Sequence, residues 1–227
     1  LAPMLKKHGK QLMGWEEILT KDLSKDAIVH SWRGPNEGVL PGQSLAEAVK
    51  KGYKTVLSNG YYIDLMYPIE SHYLNDPMPK GLNLTTEEKA RILGGEAPMW
   101  TELATPETID SRIWPRTAAI AERLWSAENI TDVADMHRRL ETISFRLEEL
   151  GLTHIRNKDV ILRNIANNQE IKSLNEFSNV CEPLKGYTRN KDGTEYKMYS
   201  PFTLFADACT PDAKDALAFD NAVNQYL

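Results

Sequence analysis

Three stretches decide the fold: Ala27-Ile28-Val29-His30-Ser31-Trp32, then Ser44-Leu45-Ala46-Glu47-Ala48-Val49-Lys50-Lys51-Gly52, then Thr55-Val56-Leu57-Ser58-Asn59. The first and last are short apolar runs without clean alternation. That pattern suits strands buried on both faces of a parallel sheet. The stretch between them reads as a helix, with Ser44 as N-cap, Glu47 three residues on, and Gly52 just past its end. Strand, helix and strand at this spacing make a β-α-β unit, for which a right-handed crossover is the default. The same theme runs from Lys10 to Glu102 and adds two more strand-length runs, Gln11-Leu12-Met13-Gly14-Trp15 and Ile92-Leu93-Gly94-Gly95-Glu96-Ala97.

Beyond Glu102 the pattern turns helical. Residues 113–126 are Ala-rich, and Pro115 is tolerable only near a helix start. Thr131 is placed to cap a helix in which Val133, Met136, Leu140, Ile143, Leu147 and Leu150 recur every three or four residues, with Gly151 at its end. The remainder is mixed, with turn signals at Lys191-Asp192-Gly193 and Pro201 and a weak helical pattern over 212–227.

Composition narrows the function. The 227 residues carry 27 Lys+Arg against 32 Asp+Glu, a net charge of −5. A mildly acidic chain lacks the basic face of a nucleic-acid or anionic-membrane binder. No apolar run approaches the roughly 20 residues of a membrane-spanning helix. Cys181 and Cys209 make no CxxC pair, and the five histidines show no HxH or HExxH spacing, so a metal is not expected. Asn83-Leu84-Thr85 and Asn129-Ile130-Thr131 are sequons of a kind that arises by chance. Because the chain opens on Leu1, its N-terminus is not expected to be a natural start.

The site signal is a repeated pairing. On a strand, residues i and i+2 share a face. At three strand ends that spacing joins an aromatic to an acid: Trp15 with Glu17, Tyr62 with Asp64, Trp100 with Glu102; Trp32 adds a fourth aromatic. Ligands of α/β sheets and barrels sit at this carboxyl end. An aromatic plane beside a carboxylate suits a pyranose, whose C–H face packs on the ring while its hydroxyls donate to the acid. Trp114 and Trp125, on the helical stretch, are expected to be plugging aromatics instead. Adjacent strand residues diverge, so Glu16 and Glu17 are not expected to flank one bond as a catalytic pair.

Gly14-Trp15-Glu16-Glu17, the segment 58–64 (SNGYYID), the segment 95–102 (GEAPMWTE) and the segment 114–126 (WPRTAAIAERLWS) resemble, in order and spacing, the family 20 glycoside hydrolases, the β-N-acetylhexosaminidases. The likeness runs from about Leu1 to Gly151; beyond it, the chain resembles more weakly the region after the barrel in bacterial members. The resemblance implies a (β/α)8 barrel acting on glycans that end in N-acetylglucosamine or N-acetylgalactosamine. It implies retention through attack by the substrate's own acetamido oxygen, with no cofactor. Carried over by position, Tyr62 is similar to the hydroxyl that binds the acetamido oxygen. Trp15, Trp32 and Trp100 resemble the aromatic box around the acetamido group, and Asp64 and Glu102 the acids that hold the hydroxyls at carbons 4 and 6. Arg116 reads as structural.

The family's general acid is a Glu preceded by an Asp, and no Asp-Glu dipeptide occurs in this chain. The expectation is therefore the C-terminal half of the barrel, strands 5–8, over residues 1–151, followed by an extension over 152–227. Such a piece should pair with the missing half or with itself, and should be inactive alone. The family points to a periplasmic or extracellular parent enzyme. The competing expectation is a non-catalytic carbohydrate-binding or structural module.

Overall fold

The computed structural model describes residues 1–102, 104–190 and 204–226. Four parallel strands form one sheet in chain order: β1 (Met13–Trp15), β2 (Ile28–Ser31), β3 (Lys54–Leu57) and β4 (Ile92–Gly95). Met13 pairs with Ile28, Ile28 with Lys54 and Thr55 with Ile92. All four expected strands are present, and each is shorter than its apolar run. The runs overshoot because Trp32, Ser58-Asn59 and Glu96-Ala97 continue into loops past the ladder.

The helix between β2 and β3 spans Gln43–Lys50. Its N-cap is Gly42, at φ +71°, and the expected cap Ser44 is buried inside the first turn, donating its Oγ hydrogen to Glu16. The Glu16 carboxylate, a tertiary partner, draws the Ser44 hydroxyl away from the helix end. Gly52, at φ +90°, does follow the helix end. Ala48 packs with Val29 and Tyr53 under Ile18, Leu19 and Leu23. At the far side of the sheet, a Cβ on Gly95 would lie 2.6 Å from the Tyr61 ring, so only glycine lets β4 end against that ring.

The chain divides into two compact units. The sheet belongs to the first, made of Leu1–Tyr62, Leu74–Pro98 and Glu122–Ile130. The second comprises Ile63–Tyr73, Met99–Ala121 and Thr131–Leu227 and is helical where described. One of its cores joins Ile69, Tyr73, Ala119, Met136 and Leu140; another joins Ile161, Leu162 and Ala208. The buried Arg112 guanidinium donates to Asp207 at 3.0 Å, fixing the helix Leu204–Ala208.

Three helical expectations need correction. The helix within 113–126 is shorter than that stretch: it spans Arg116–Trp125 with Pro115 directly before its start, as expected, whereas Ile113 closes a preceding helix, Ile109–Ile113, that ends at Trp114, whose extended backbone is what a residue before proline prefers. The long helix Val133–Glu149 is capped by Asp132, which accepts from Asp135 N at 2.9 Å, rather than by Thr131. Gly151, at φ +99°, follows its end as expected. Trp125 is 94% exposed and plugs nothing. The C-terminal helix covers Lys214–Asn224, while Lys191-Asp192-Gly193 and Pro201 lie outside the described residues. Among the described residues, no helix is long and apolar enough to cross a membrane.

Candidate functional site

The carboxyl ends of the four strands carry a continuous polar network. Trp15 closes β1, and the chain then tightens into a 3-10 turn, Glu16–Ile18. Glu16 is buried; it accepts from Trp32 N at 3.2 Å and from Ser44 Oγ, and faces Arg33 Nε at 3.3 Å. Glu17 is exposed and accepts from the Trp32 indole Nε1 at 3.0 Å and from Arg33 Nη2 at 3.0 Å. One guanidinium thus spans both acids, because the turn and not a strand presents them.

On the next two strands, the network continues through His30. Its ring meets that of Trp15 with centroids 4.8 Å apart, and its Nδ1 is hydrogen-bonded to the Glu96 carboxylate just past β4. Ser58 donates to the same carboxylate. Asn59 donates to Trp32 O at 3.0 Å, Asn75 donates to Asn59 O at 3.0 Å, and the Tyr61 hydroxyl donates to Asn75 O. Burial pushes the Tyr61 phenol well above its ordinary value, so it serves there as a neutral donor. The half-buried Tyr62 follows directly on this anchored turn.

In the second unit, Asp64 is buried, at 1% exposure, with Trp100 and Glu102 exposed at their surface positions. Burial is the main cause that raises the Asp64 carboxyl to about 6; the Glu102 charge adds to it, while backbone N–H donors at Asp64 and Trp100 and the Arg116 charge oppose it. Asp64 Oδ1 has no hydrogen-bond partner among the described residues. Arg116 is buried and donates to Ile63 O at 3.1 Å and Tyr67 O at 3.4 Å, clasping the loop that bears Asp64. Asp212 accepts from Ile69 N at 2.9 Å, at the start of the helix Ile69–Tyr73 that follows this loop, and burial raises its carboxyl.

A carboxyl whose folded value, about 6, exceeds its ordinary 3.8 favours the fold when protonated, and that advantage is lost as pH rises from 3.8 through 6. Asp64→Asn is therefore expected to raise unfolding free energy at pH 8 relative to the parent by about 1–2 kcal/mol, with no such gain at pH 3. Denaturant titrations at the two pH values check this; an equal effect at both would mean that the charge is not the cause.

Strand alternation does not pair these aromatics with their acids. Glu17 lies in a turn, Tyr62 and Asp64 lie beyond Leu57, and Trp100 and Glu102 lie beyond Gly95, so none of the three pairs shares a strand face. Trp15, Trp32 and Tyr62 belong to the first unit; Asp64, Trp100 and Glu102 belong to the second, where Trp100 N–H and the Glu102 charge act on Asp64. His30, Glu96, Ser58 and Arg33 went unrecognised as site residues. Their signal was position, each standing at or just past a strand's carboxyl end, where ligands of α/β sheets bind. Among the described residues, no group of three His, Cys, Asp or Glu is placed to hold a metal ion.

Comparison with known proteins fixes the class. The family described as glycosyl hydrolase family 20, catalytic domain, matches residues 1–128, and the chain belongs to that family. The X-ray structure of a Flavobacterium johnsoniae chitobiase superposes on all of this chain with TM-score 0.94 and 86% identity, over 34% of its own length. A β-hexosaminidase of Porphyromonas gingivalis is 33% identical over 66% of this chain and 21% of itself. A family 20 β-N-acetylhexosaminidase from Streptomyces coelicolor is 26% identical, with TM-score 0.54, over 66% of this chain and 33% of its own. The chain thus spans between 21% and 34% of the length of these relatives.

Proposed function

We propose that this chain is part of a retaining β-N-acetylhexosaminidase, removing terminal N-acetylglucosamine or N-acetylgalactosamine by substrate-assisted catalysis. Residues 1–151 form the C-terminal half of its barrel, with 152–227 as an extension, in an enzyme that works outside the cytoplasm. The observation that carries the reading is the strand-end network within the family-matched residues. There Trp15 and Trp32 end or follow adjacent parallel strands, each with its ring engaged by a polar partner. Pre-ordered rings of this kind suit a pocket that must hold an acetamido group for internal attack and exclude competing water. The orphan Asp64 Oδ1 is an acceptor for a ligand hydroxyl. The family resemblance assigns to Tyr62 the donor to the acetamido oxygen, to Trp15, Trp32 and Trp100 the aromatic box around the acetamido group, and to Asp64 and Glu102 the hydroxyls at carbons 4 and 6.

The test compares two aryl β-glycosides with the complete enzyme: one bearing a 2-acetamido group, the other a 2-hydroxyl. Internal attack requires the first, so hydrolysis of both at similar rates would overturn the mechanism. A narrower expectation concerns Glu102. Its replacement by Gln should weaken an N-acetylhexosamine inhibitor by about 1.5 kcal/mol, the low end for a hydrogen bond to a charged group, since Glu102 is exposed. Unchanged inhibition would make Glu102 a solvated loop acid.

A further inference from the structure

The geometry points to Glu17, braced by Arg33, as the positioning residue that sets the Trp32 indole and thereby the acyl-group selectivity of the site; this rests on the reading of Trp32 as a pocket wall. The sequence spacing associates Glu17 with Trp15, but the fold hands it to the tryptophan of the neighbouring strand. Both Glu17 oxygens lie within reach of Trp32 Nε1, at 3.0 and 3.3 Å. Arg33 Nη2 holds the same carboxylate at 3.0 Å, and its guanidinium lies 5.6 Å from the centroid of the Trp32 ring.

Two sets of contacts divide the work. The Trp32 backbone is fixed by Glu16, which takes its N–H at 3.2 Å, and by Asn59, which donates to its carbonyl at 3.0 Å. Neither contact involves Glu17. Glu17 fixes only the ring, whose rotation about two side-chain bonds those backbone contacts leave open. It is also exposed, so its loss opens no core. Changing Glu17 therefore changes ring orientation without removing the strand end that carries the ring.

An apolar pocket tells a methyl from an ethyl group by close packing, worth about 10–200-fold per methylene when the wall is fixed. A wall free to turn loses part of that discrimination. The experiment uses the complete enzyme with aryl 2-acetamido and 2-propionamido β-glucosides, reading the ratio of their kcat/KM values. The parent should favour acetamido by about tenfold or more. Glu17→Ala should reduce that ratio at least about threefold. Glu17→Gln keeps an acceptor for the indole and should hold the ratio within about twofold of the parent. Glu17→Leu, of similar volume and without an acceptor, should give the alanine result if the alanine variant does not fold. A ratio unmoved by Ala or Leu, while Trp32→Ala collapses it, would overturn the role of Glu17 and leave the pocket reading intact. A ratio unmoved by Trp32→Ala would overturn the pocket reading and this inference with it.

Discussion

Replacing Tyr62 with Phe in the complete enzyme is expected to lower kcat on the order of 100-fold, about 2–3 kcal/mol, comparable to losing one oxyanion-hole donor. The lost hydroxyl is the donor proposed to hold the acetamido oxygen. Such a donor matters most when that oxygen attacks the anomeric carbon, so ground-state affinity should change far less. The fold gives this donor a fixed base. Tyr61 is fully buried against Gly95 and tied to Asn75, and Asn75 in turn holds the turn at Asn59. The neighbouring tyrosine is therefore the control. Tyr61→Phe removes a buried hydrogen bond and should cost about 1 kcal/mol of stability with little change in kcat. Steady-state kinetics separate the two: a Tyr62→Phe enzyme with only a raised KM would deny Tyr62 its role in the attack.

The sheet was legible because short, largely apolar runs without clean alternation suit parallel strands, and Met13–Trp15, Ile28–Ser31, Lys54–Leu57 and Ile92–Gly95 fall in such runs, although Met13, Lys54 and Leu93 stay exposed. Their ends were less legible, since Trp32 and Ala97 are as apolar as strand residues yet lie past the ladder. The motifs that carry the family likeness were also legible. The pairing of the site's side chains was not. Whether Glu17 meets Trp15 or Trp32 depends on the 3-10 turn after β1 and on the register that sets Trp15 opposite His30. Neither leaves a trace in spacing. The Ser44 hydroxyl shows the same limit: a good cap by type, it is drawn off by Glu16, a partner 28 residues away.

The isolated 227-residue chain is expected to show no hydrolysis of an aryl N-acetylglucosaminide and to self-associate. The catalytic half of this expectation follows from chemistry. No Asp-Glu dipeptide, the general-acid signature that the family resemblance implies, occurs in this sequence. Glu17, an obvious substitute, already has both oxygens engaged by Trp32 and Arg33. The associative half follows from the sheet. In the order β1-β2-β3-β4, the outer edges of β1 and β4 have no strand beside them among the described residues, and Met13 and Leu93 on those strands are exposed. An open edge invites pairing, and exposed apolar side chains reward it. A barrel abolishes such edges by closure, so the proposed other half of the barrel would satisfy both. Without it, a second copy is the available strand donor, and a two-fold pair would make eight strands. Light scattering should therefore report species heavier than about 26 kDa, the mass of one chain. A clean monomer that melts cooperatively would refute the association and, with it, the half-barrel. Turnover surviving stringent purification would refute the inactivity and require Glu17 or Glu102 to act as the acid, a choice that alanine variants of each would decide.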